Sequence, residues 1–320
     1  MRFPYIRLLC ICFVGWLLAA NVACAQEFPT RTIRILTGSP GSNIANAARF
    51  VSQGIAPVLG QSVILDHRGG GAAVHAELIS RAPADGYTLL LTAGSFWIGP
   101  LLQDKPAYDP IMGYSHISLV ARAPGLIVVH PSLPVKSIAD LIAFVRSRPG
   151  QLNYSSGGDG GIGHLGAEVF NVMAGVKIVR VRYSNDAMQT TDLINGLVEM
   201  SFAGTNVMQH VKSGKLRALG VTSDQPSPLF KGIPPAGATL PGYSVFATNA
   251  LVAPAGMPAG IIQRLNQTVV RFLELPATKE LFLNGGLEAT GSTPEQLTAL
   301  MKAEMETAGK VIRNMGIRVN

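Results

Sequence analysis

The amino-acid sequence predicts an α/β fold in two domains with a cleft between them, and three features predict it. From Thr32 onward apolar strands alternate with Gly-rich loops and helices. After an extended stretch at 117–130 the same strand–loop–helix grammar starts afresh. About 295 residues remain once an N-terminal signal is set aside, more than one core usually takes. Two connections into and out of a middle unit leave a cleft, and clefts between domains are where small ligands bind.

In the first unit a strand over 33–36 runs into the loop Gly38, Ser39, Pro40, Gly41, Ser42 and Asn43. A helix follows with Phe50, Val51, Ile55, Val58 and Leu59 on one face, stopped by Gly60. A strand over 62–65, the run Gly69, Gly70, Gly71, a helix near 74–80 and a strand over 87–92 complete a layer expected to hold a parallel sheet. In the second unit Ser137 opens a helix, with Asp140 three residues on as a variant capping box, and Pro149 and Gly150 end it. Next come a strand over 152–155, a loop over 157–163, a helix from His164, a strand over 177–183, a helix from Ala187, and strands over 198–202 and 216–222. Prolines at 226, 228, 234, 235 and 241 punctuate the return, and an apolar stretch over 244–253 leads into helical segments. The last helix takes Thr293 as N-cap, Pro294 at its first position and Gln296 to complete the box. Leu297, Leu300, Met301, Met305, Ala308, Val311, Ile312 and Met315 recur at helical spacing, as a core-facing stripe. The expected division is a signal at 1–25, one domain from 26–124 plus 246–320, and a second from 125–245.

Residues 1–25 read as a cleavable secretory signal: Arg2 and Arg7, an apolar run over 8–20, and the small-residue pattern Ala23, Cys24, Ala25. The apolar run falls short of the about 20 residues a membrane span needs. Cleavage before Gln26 would remove all three cysteines, Cys10, Cys12 and Cys24, so the mature chain would form no disulfide or thiolate metal site. It would also lower the net charge from +7 to +5. The remaining Lys and Arg are scattered, without the basic stripe and interleaved aromatics that nucleic-acid binding wants. Charged residues make up only 14%, against roughly 25% in an average globular protein, which implies generous burial.

Gly158, Asp159, Gly160, Gly161, Ile162 and Gly163 fit G-x-G-x-x-G after a strand and before a helix, with Asp186 at the end of the next strand. One reading is an exported nicotinamide-dinucleotide oxidoreductase. The other uses the same glycines to expose backbone N–H groups at the positive end of a helix dipole, which binds an anion without a charged side chain. The loop from Gly38 to Asn43 repeats the device in the other domain, so two loops facing across the cleft could hold the two ends of a short dicarboxylate. Hydrolase signals are poor: there is no G-x-S-x-G, and the six histidines never fall at metal spacing. Phe96 and Trp97 read as core.

Across the mature chain the residues resemble the Bug-type periplasmic receptors of tripartite tricarboxylate transporters. The resemblance is carried in order by Phe28-Pro29-Thr30-Arg31, Leu59-Gly60-Gln61, the run Ala82-Pro83-Ala84-Asp85-Gly86-Tyr87-Thr88-Leu89-Leu90, and Pro131-Ser132-Leu133-Pro134-Val135-Lys136-Ser137. It continues through Gly150-Gln151-Leu152-Asn153-Tyr154, His164-Leu165 with Glu168, Gly214-Lys215-Leu216-Arg217-Ala218-Leu219, and Ala253-Pro254-Ala255-Gly256. The resemblance implies a type II, Venus-flytrap clamshell that closes on a small carboxylated solute in the periplasm and presents it to the transporter's membrane components. It implies no enzyme activity, no cofactor, no metal and no nucleic acid, and a monomer is expected. A receptor that presents its ligand to a sensor is a related alternative. Carried over by position, the first-domain grip is Gly38, Ser39, Pro40, Gly41, Ser42 and Asn43 with Thr92 and Ser95. The second-domain grip is Ser156, Gly158, Asp159 and Gly160 with Tyr183, Ser184, Asn185 and Asp186, and with Thr205 and Asn206. Two departures from the family pattern bear on the ligand. The first loop is one residue shorter than P-F-P-x-G-G-x-x-D, with Ala45 or Asn46 where the Asp is expected, and the usual Tyr-Lys-Gly is Tyr183-Ser184-Asn185. Loss of the Asp removes a partner for an ammonium group, and loss of the Lys removes a positive charge.

Overall fold

The computed structural model of the protein describes residues 28–158, 160–183 and 186–315. The proposed signal therefore lies outside the described residues. Among the described residues eleven strands form two sheets, ordered β11-β4-β10-β3-β1-β2 and β7-β6-β8-β5-β9. The first contains β1 (Ile33–Thr37), β2 (Val63–His67), β3 (Thr88–Ala93), β4 (Tyr114–Pro124), β10 (Phe246–Pro254) and β11 (Glu288–Ala289). The second contains β5 (Leu126–Val129), β6 (Asn153–Ser156), β7 (Val179–Arg182), β8 (Met200–Ala203) and β9 (Arg217–Val221). Neither sheet is purely parallel, contrary to the expectation from alternation. β1 runs parallel to β2 and β3, but β10 is antiparallel to β3 and β4. Likewise β6 is parallel to β7 and β8, whereas β5 is antiparallel to β8 and β9. The reversals come from the segments that pass between the two halves, a long-range feature that local periodicity does not encode.

The helices are α1 (Asn43–Leu59), α2 (Gly71–Ser80), α3 (Ser95–Ile98), α4 (Ile138–Ser147), α5 (Ile162–Ala174), α6 (Asp186–Ile194), α7 (Met208–Lys212), α8 (Ala259–Glu274), α9 (Pro276–Asn284) and α10 (Pro294–Met315). Their ends follow from capping chemistry. Ser42 accepts from the Ala45 N–H (3.2 Å) to start α1, and Gly60 ends it in the left-handed region at φ 64°. Thr293 and Gln296 form the expected reciprocal box at α10, with the Gln296 N–H on Thr293 Oγ1 (3.2 Å) and the Thr293 N–H on Gln296 Oε1 (2.9 Å). At α4 Ser137 caps Asp140 as expected, but the Asp140 carboxylate accepts from the Lys136 N–H (3.0 Å), one residue upstream of the box position. Helix α5 begins at Ile162, two residues earlier than expected, with Gly161 as its N-cap.

Each sheet is covered on both faces. Ile33, Ile35, Phe50, Val51, Ile55, Leu89, Leu251, Leu265 and Val269 pack the first sheet against α1 and α8. Phe96, Trp97, Leu90, Val252, Leu297 and Met301 pack its other face against α3 and α10. Val58, placed by periodicity on the buried face of α1, is 67% exposed, whereas the next residue, Leu59, is buried in the core on the first sheet. Phe96 and Trp97 are core, as expected. The α10 stripe serves both halves: Leu297, Met301, Ala308 and Ile312 pack with the first sheet, while Val311 joins the core of the second with Phe170, Phe202 and Tyr243.

The single extended stretch expected over 117–130 is two strands in two sheets, β4 and β5, divided at Gly125. A Cβ at Gly125 would lie 3.1 Å from the Ala203 carbonyl oxygen, so the outgoing strand presses closely on β8. Thr222 stitches this crossing to the returning one. Its Oγ1 accepts from the Gly125 N–H (2.7 Å) and donates to Val245 O (2.6 Å), while the backbones add Thr222 N–H to Gly125 O (2.8 Å) and Val245 N–H to Thr222 O (2.7 Å).

Candidate functional site

A cavity of about 240 Å³ opens where the β6–α5 loop, the end of β8 and the start of α1 converge. The β6–α5 segment supplies Gly157, Gly158, Gly161, Ile162 and Gly163; α6 supplies Gln189, Thr190 and Leu193; β8 and its following turn supply Ser201, Phe202, Ala203, Gly204, Asn206 and Val207. Asn43, at the start of α1, is the contribution of the other half. This is the crevice at the carboxyl ends of the neighbouring parallel strands β6 and β8, the position where open α/β sheets hold ligands.

Among the described residues no side chain with a formal charge lines this cavity. Instead α5 points its N-terminus at it. Ile162 and Gly163 stand in the first turn, where N–H groups have no carbonyl partner within the helix, and the helix dipole adds partial positive charge. Glycine suits the place because a Cβ at Gly163 would sit 3.1 Å from the Phe202 carbonyl, so the helix start lies directly against β8. Neutral polar groups complete the wall. Gln189 Nε2 donates to Ser201 Oγ (2.9 Å), and Ser201 Oγ donates to Ser155 O (3.2 Å). The hydroxyl of Ser155 is buried without a partner, as is that of Thr37 at the end of β1.

A buried polar frame holds the loop from behind. Arg180 Nε donates to Ser156 Oγ (2.6 Å) and Nη2 to Gly157 O (2.7 Å). The Tyr154 hydroxyl donates to the buried Glu168 carboxylate, which also accepts from Asn171 Nδ2 (3.1 Å), so β6 and α5 are tied across their interface. Burial first, and then the Glu168 charge, push the Tyr154 phenol far above its ordinary pKa.

The structure distributes the sequence-predicted residues unevenly. Asn43, Gly158 and Asn206 line the cavity. Gly38, Ser39, Pro40, Gly41 and Ser42 form the loop before α1 and are not in the lining; Ser42 Oγ donates to Ser39 O (2.8 Å), and Gly38 O meets His67 Nδ1 of β2 (2.9 Å). Thr92 is buried in β3 and Ser95 opens α3; neither reaches the lining. Ser156 is fully buried and committed to Arg180. Gly160 sits at φ 73°, gives its N–H to His164 Nδ1 (3.2 Å), and faces Leu102 and Ile98 of the other half. Tyr183 donates to Asp192 Oδ2 (2.8 Å), and desolvation followed by that carboxylate pushes its phenol up to about 12. Thr205 also bridges the halves, with its Oγ1 so close to Gly286 that a Cβ there would approach within 2.6 Å. Asp159, Ser184 and Asn185 lie outside the described residues, as does the side chain of Asp186, which begins α6.

Sequence reasoning missed Gln189, Thr190, Leu193, Ser201, Phe202, Ala203 and Val207. The signal lay in sheet order: a polar Ser201 inside an otherwise apolar strand lines the cavity because β8 lies beside β6, and only the pairing reveals that neighbour.

Residues 47–317 match the family described as "Tripartite tricarboxylate transporter family receptor". The chain belongs to that family. The receptor is 29% identical to Protein BugT of Bordetella pertussis over 94% of both chains. It is similar to the solved structure of R. palustris Rpa4515 with adipate, with 31% identity, a TM-score of 0.79, and coverage of 91% of this chain and 99% of that one. The periplasmic binding protein BugD matches at 25% identity and a TM-score of 0.74 over 91% of this chain and 99% of its own. The receptor therefore has the two-domain periplasmic-binding clamshell, and its family is one of solute-binding receptors and not of enzymes. The oxidoreductase reading of Gly158 to Gly163 falls with that membership; the hexamer instead opens α5 onto the cavity.

Proposed function

We propose that this receptor captures a small organic acid in the cleft, outside the cytoplasm, and delivers it to the membrane components of a tripartite tricarboxylate-type transporter. The observation that carries the reading is the cavity wall: a helix N-terminus, glycine backbone and neutral amide and hydroxyl groups, with no charged side chain among the described residues to demand an opposite charge on the ligand. Such a wall favours a carboxylate, which accepts N–H bonds at a helix start. Adipate in the 31%-identical Rpa4515 structure supports the same chemical class. Asn43 gives the first half a polar contact on the solute, so binding engages both halves and favours closure. The secretory pattern at 1–25 supports export to the periplasm, and among the described residues no helix is long and apolar enough to cross a membrane. Domain limits of 26–124 plus 246–320 and 125–245 are supported by strand membership, since β4 ends at Pro124 and β10 begins at Phe246.

The test is calorimetric titration of the purified receptor with adipate, shorter dicarboxylates, citrate, monocarboxylates and neutral sugars. Gly158 offers the cleanest control, because a Cβ there meets nothing within 4 Å. Gly158→Trp would fill the cavity while sparing the fold. Acid binding in the unaltered receptor and its loss in Gly158→Trp, with an unchanged melting curve, is the expected result. Binding of a sugar and of no acid would overturn the proposal.

A further inference from the structure

A second cavity, of about 160 Å³, lies at the junction of the two halves. That is roughly ten times the about 10–15 Å³ a single water needs. It is bounded by β4, the segment returning into β10, α5 of the second half and α10. Leu165, Val169, Val245 and Leu300 give it apolar walls, Arg122 and Glu304 are its charged groups, and Ser244 and Thr307 add hydroxyls. These two are not equivalent. Both carboxylate oxygens of Glu304 are occupied, one by Trp97 Nε1 (2.8 Å) and the other by Thr248 Oγ1 (3.0 Å). Arg122 stacks over the Phe246 ring at 3.9 Å, and its Nε is buried with no hydrogen-bond partner. Glu304 thus has its hydrogen bonds taken up and feels Arg122 only as a nearby charge, while the Arg122 Nε has no acceptor. With a single cationic group and apolar walls around it, the complementary molecule carries one carboxylate and a short hydrocarbon body.

We propose that this hinge cavity is a second ligand site, taking a small apolar monocarboxylate whose carboxylate accepts from Arg122 and whose tail lies on Leu165, Val169 and Leu300. The site is separate from the cleft and does not depend on which solute the cleft takes. Its walls come from both halves and from both crossing segments, so a change of interdomain angle changes its shape. A molecule that prefers one shape shifts the opening equilibrium, and by linkage alters the affinity of the cleft for its solute.

The experiment titrates hexanoate and benzoate, with hexanol as an uncharged comparator, into the full-length receptor and three variants. Arg122→Met removes the donor. Ala303→Phe places a ring at the cavity mouth from an exposed position on α10, and so leaves the core intact. Gly158→Trp fills the cleft instead. The expected result is hexanoate or benzoate binding that exceeds hexanol binding, falls about tenfold or more in Arg122→Met and in Ala303→Phe, and persists in Gly158→Trp. An unchanged melting curve for Ala303→Phe separates loss of the site from loss of the fold. No acid binding to the unaltered receptor, unchanged affinity in either hinge variant, or loss only in Gly158→Trp would overturn the proposal.

Discussion

Thr222→Val removes one hydroxyl from the place where the two crossing segments meet. Thr222 is fully buried, and Val keeps its shape, so the change leaves packing nearly intact. The hydroxyl makes two bonds, accepting from the Gly125 N–H at 2.7 Å and donating to Val245 O at 2.6 Å. Each such bond contributes about 0.5–1.5 kcal/mol net, and a buried group left without a partner costs about 1–3 kcal/mol. Together these give an expected loss of about 2–4 kcal/mol in urea unfolding read by circular dichroism. Thr222→Ser supplies the contrast. It keeps both hydrogen bonds and removes only Cγ2, which packs beside Gly125, for an expected loss of about 1 kcal/mol. A Ser variant less stable than the Val variant, or a Val variant within about 0.5 kcal/mol of the unaltered protein, would refute the assignment of Thr222 as a polar stitch between the crossings.

Neighbouring glycines in the cavity loop are expected to respond differently to alanine. Gly160→Ala forces a left-handed φ of 73° on an L-residue at a cost of about 1–2 kcal/mol, whereas Gly158→Ala meets no neighbour and leaves stability within about 0.5 kcal/mol; thermal melts compare the two. Glu304→Gln should remove a pH-dependent part of stability. Burial raises the Glu304 carboxyl above its ordinary 4.5, despite opposing help from Trp97, Thr248 and Arg122, so the folded state holds this proton more tightly than the unfolded chain does. Its contribution therefore weakens as pH rises through 4.5 and levels off above the raised value. Unfolding titrations from pH 4 upward should show that slope in the unaltered receptor and not in the Gln variant.

Local chemistry determined much of this protein from the sequence alone. Helix ends are legible where caps are local: Ser42, Ser137 and Thr293 hydrogen-bond residues three positions away, and Gly60 supplies the left-handed stop. The α/β class and the Phe96-Trp97 core follow from periodicity over a few residues, and the family resemblance rests on short runs read in order. What a residue does across the fold was decided by tertiary structure. Sheet pairing set β10 antiparallel between β3 and β4, and brought Ser201 of β8 beside the loop that follows β6. Of the expected first grip only Asn43 is among the cavity's lining residues, with Ser42 bonded back to Ser39 and Gly38 to His67, while Gln189 and Leu193 enter the cavity from a helix that carries no motif. Arg122 and Glu304, far apart in sequence, come to line one cavity because the chain passes between the halves and α10 packs against that passage. Short-range hydrogen bonds and periodicity are written in neighbouring residues; which groups are left without a partner, and what space they face, exists only once distant segments have packed.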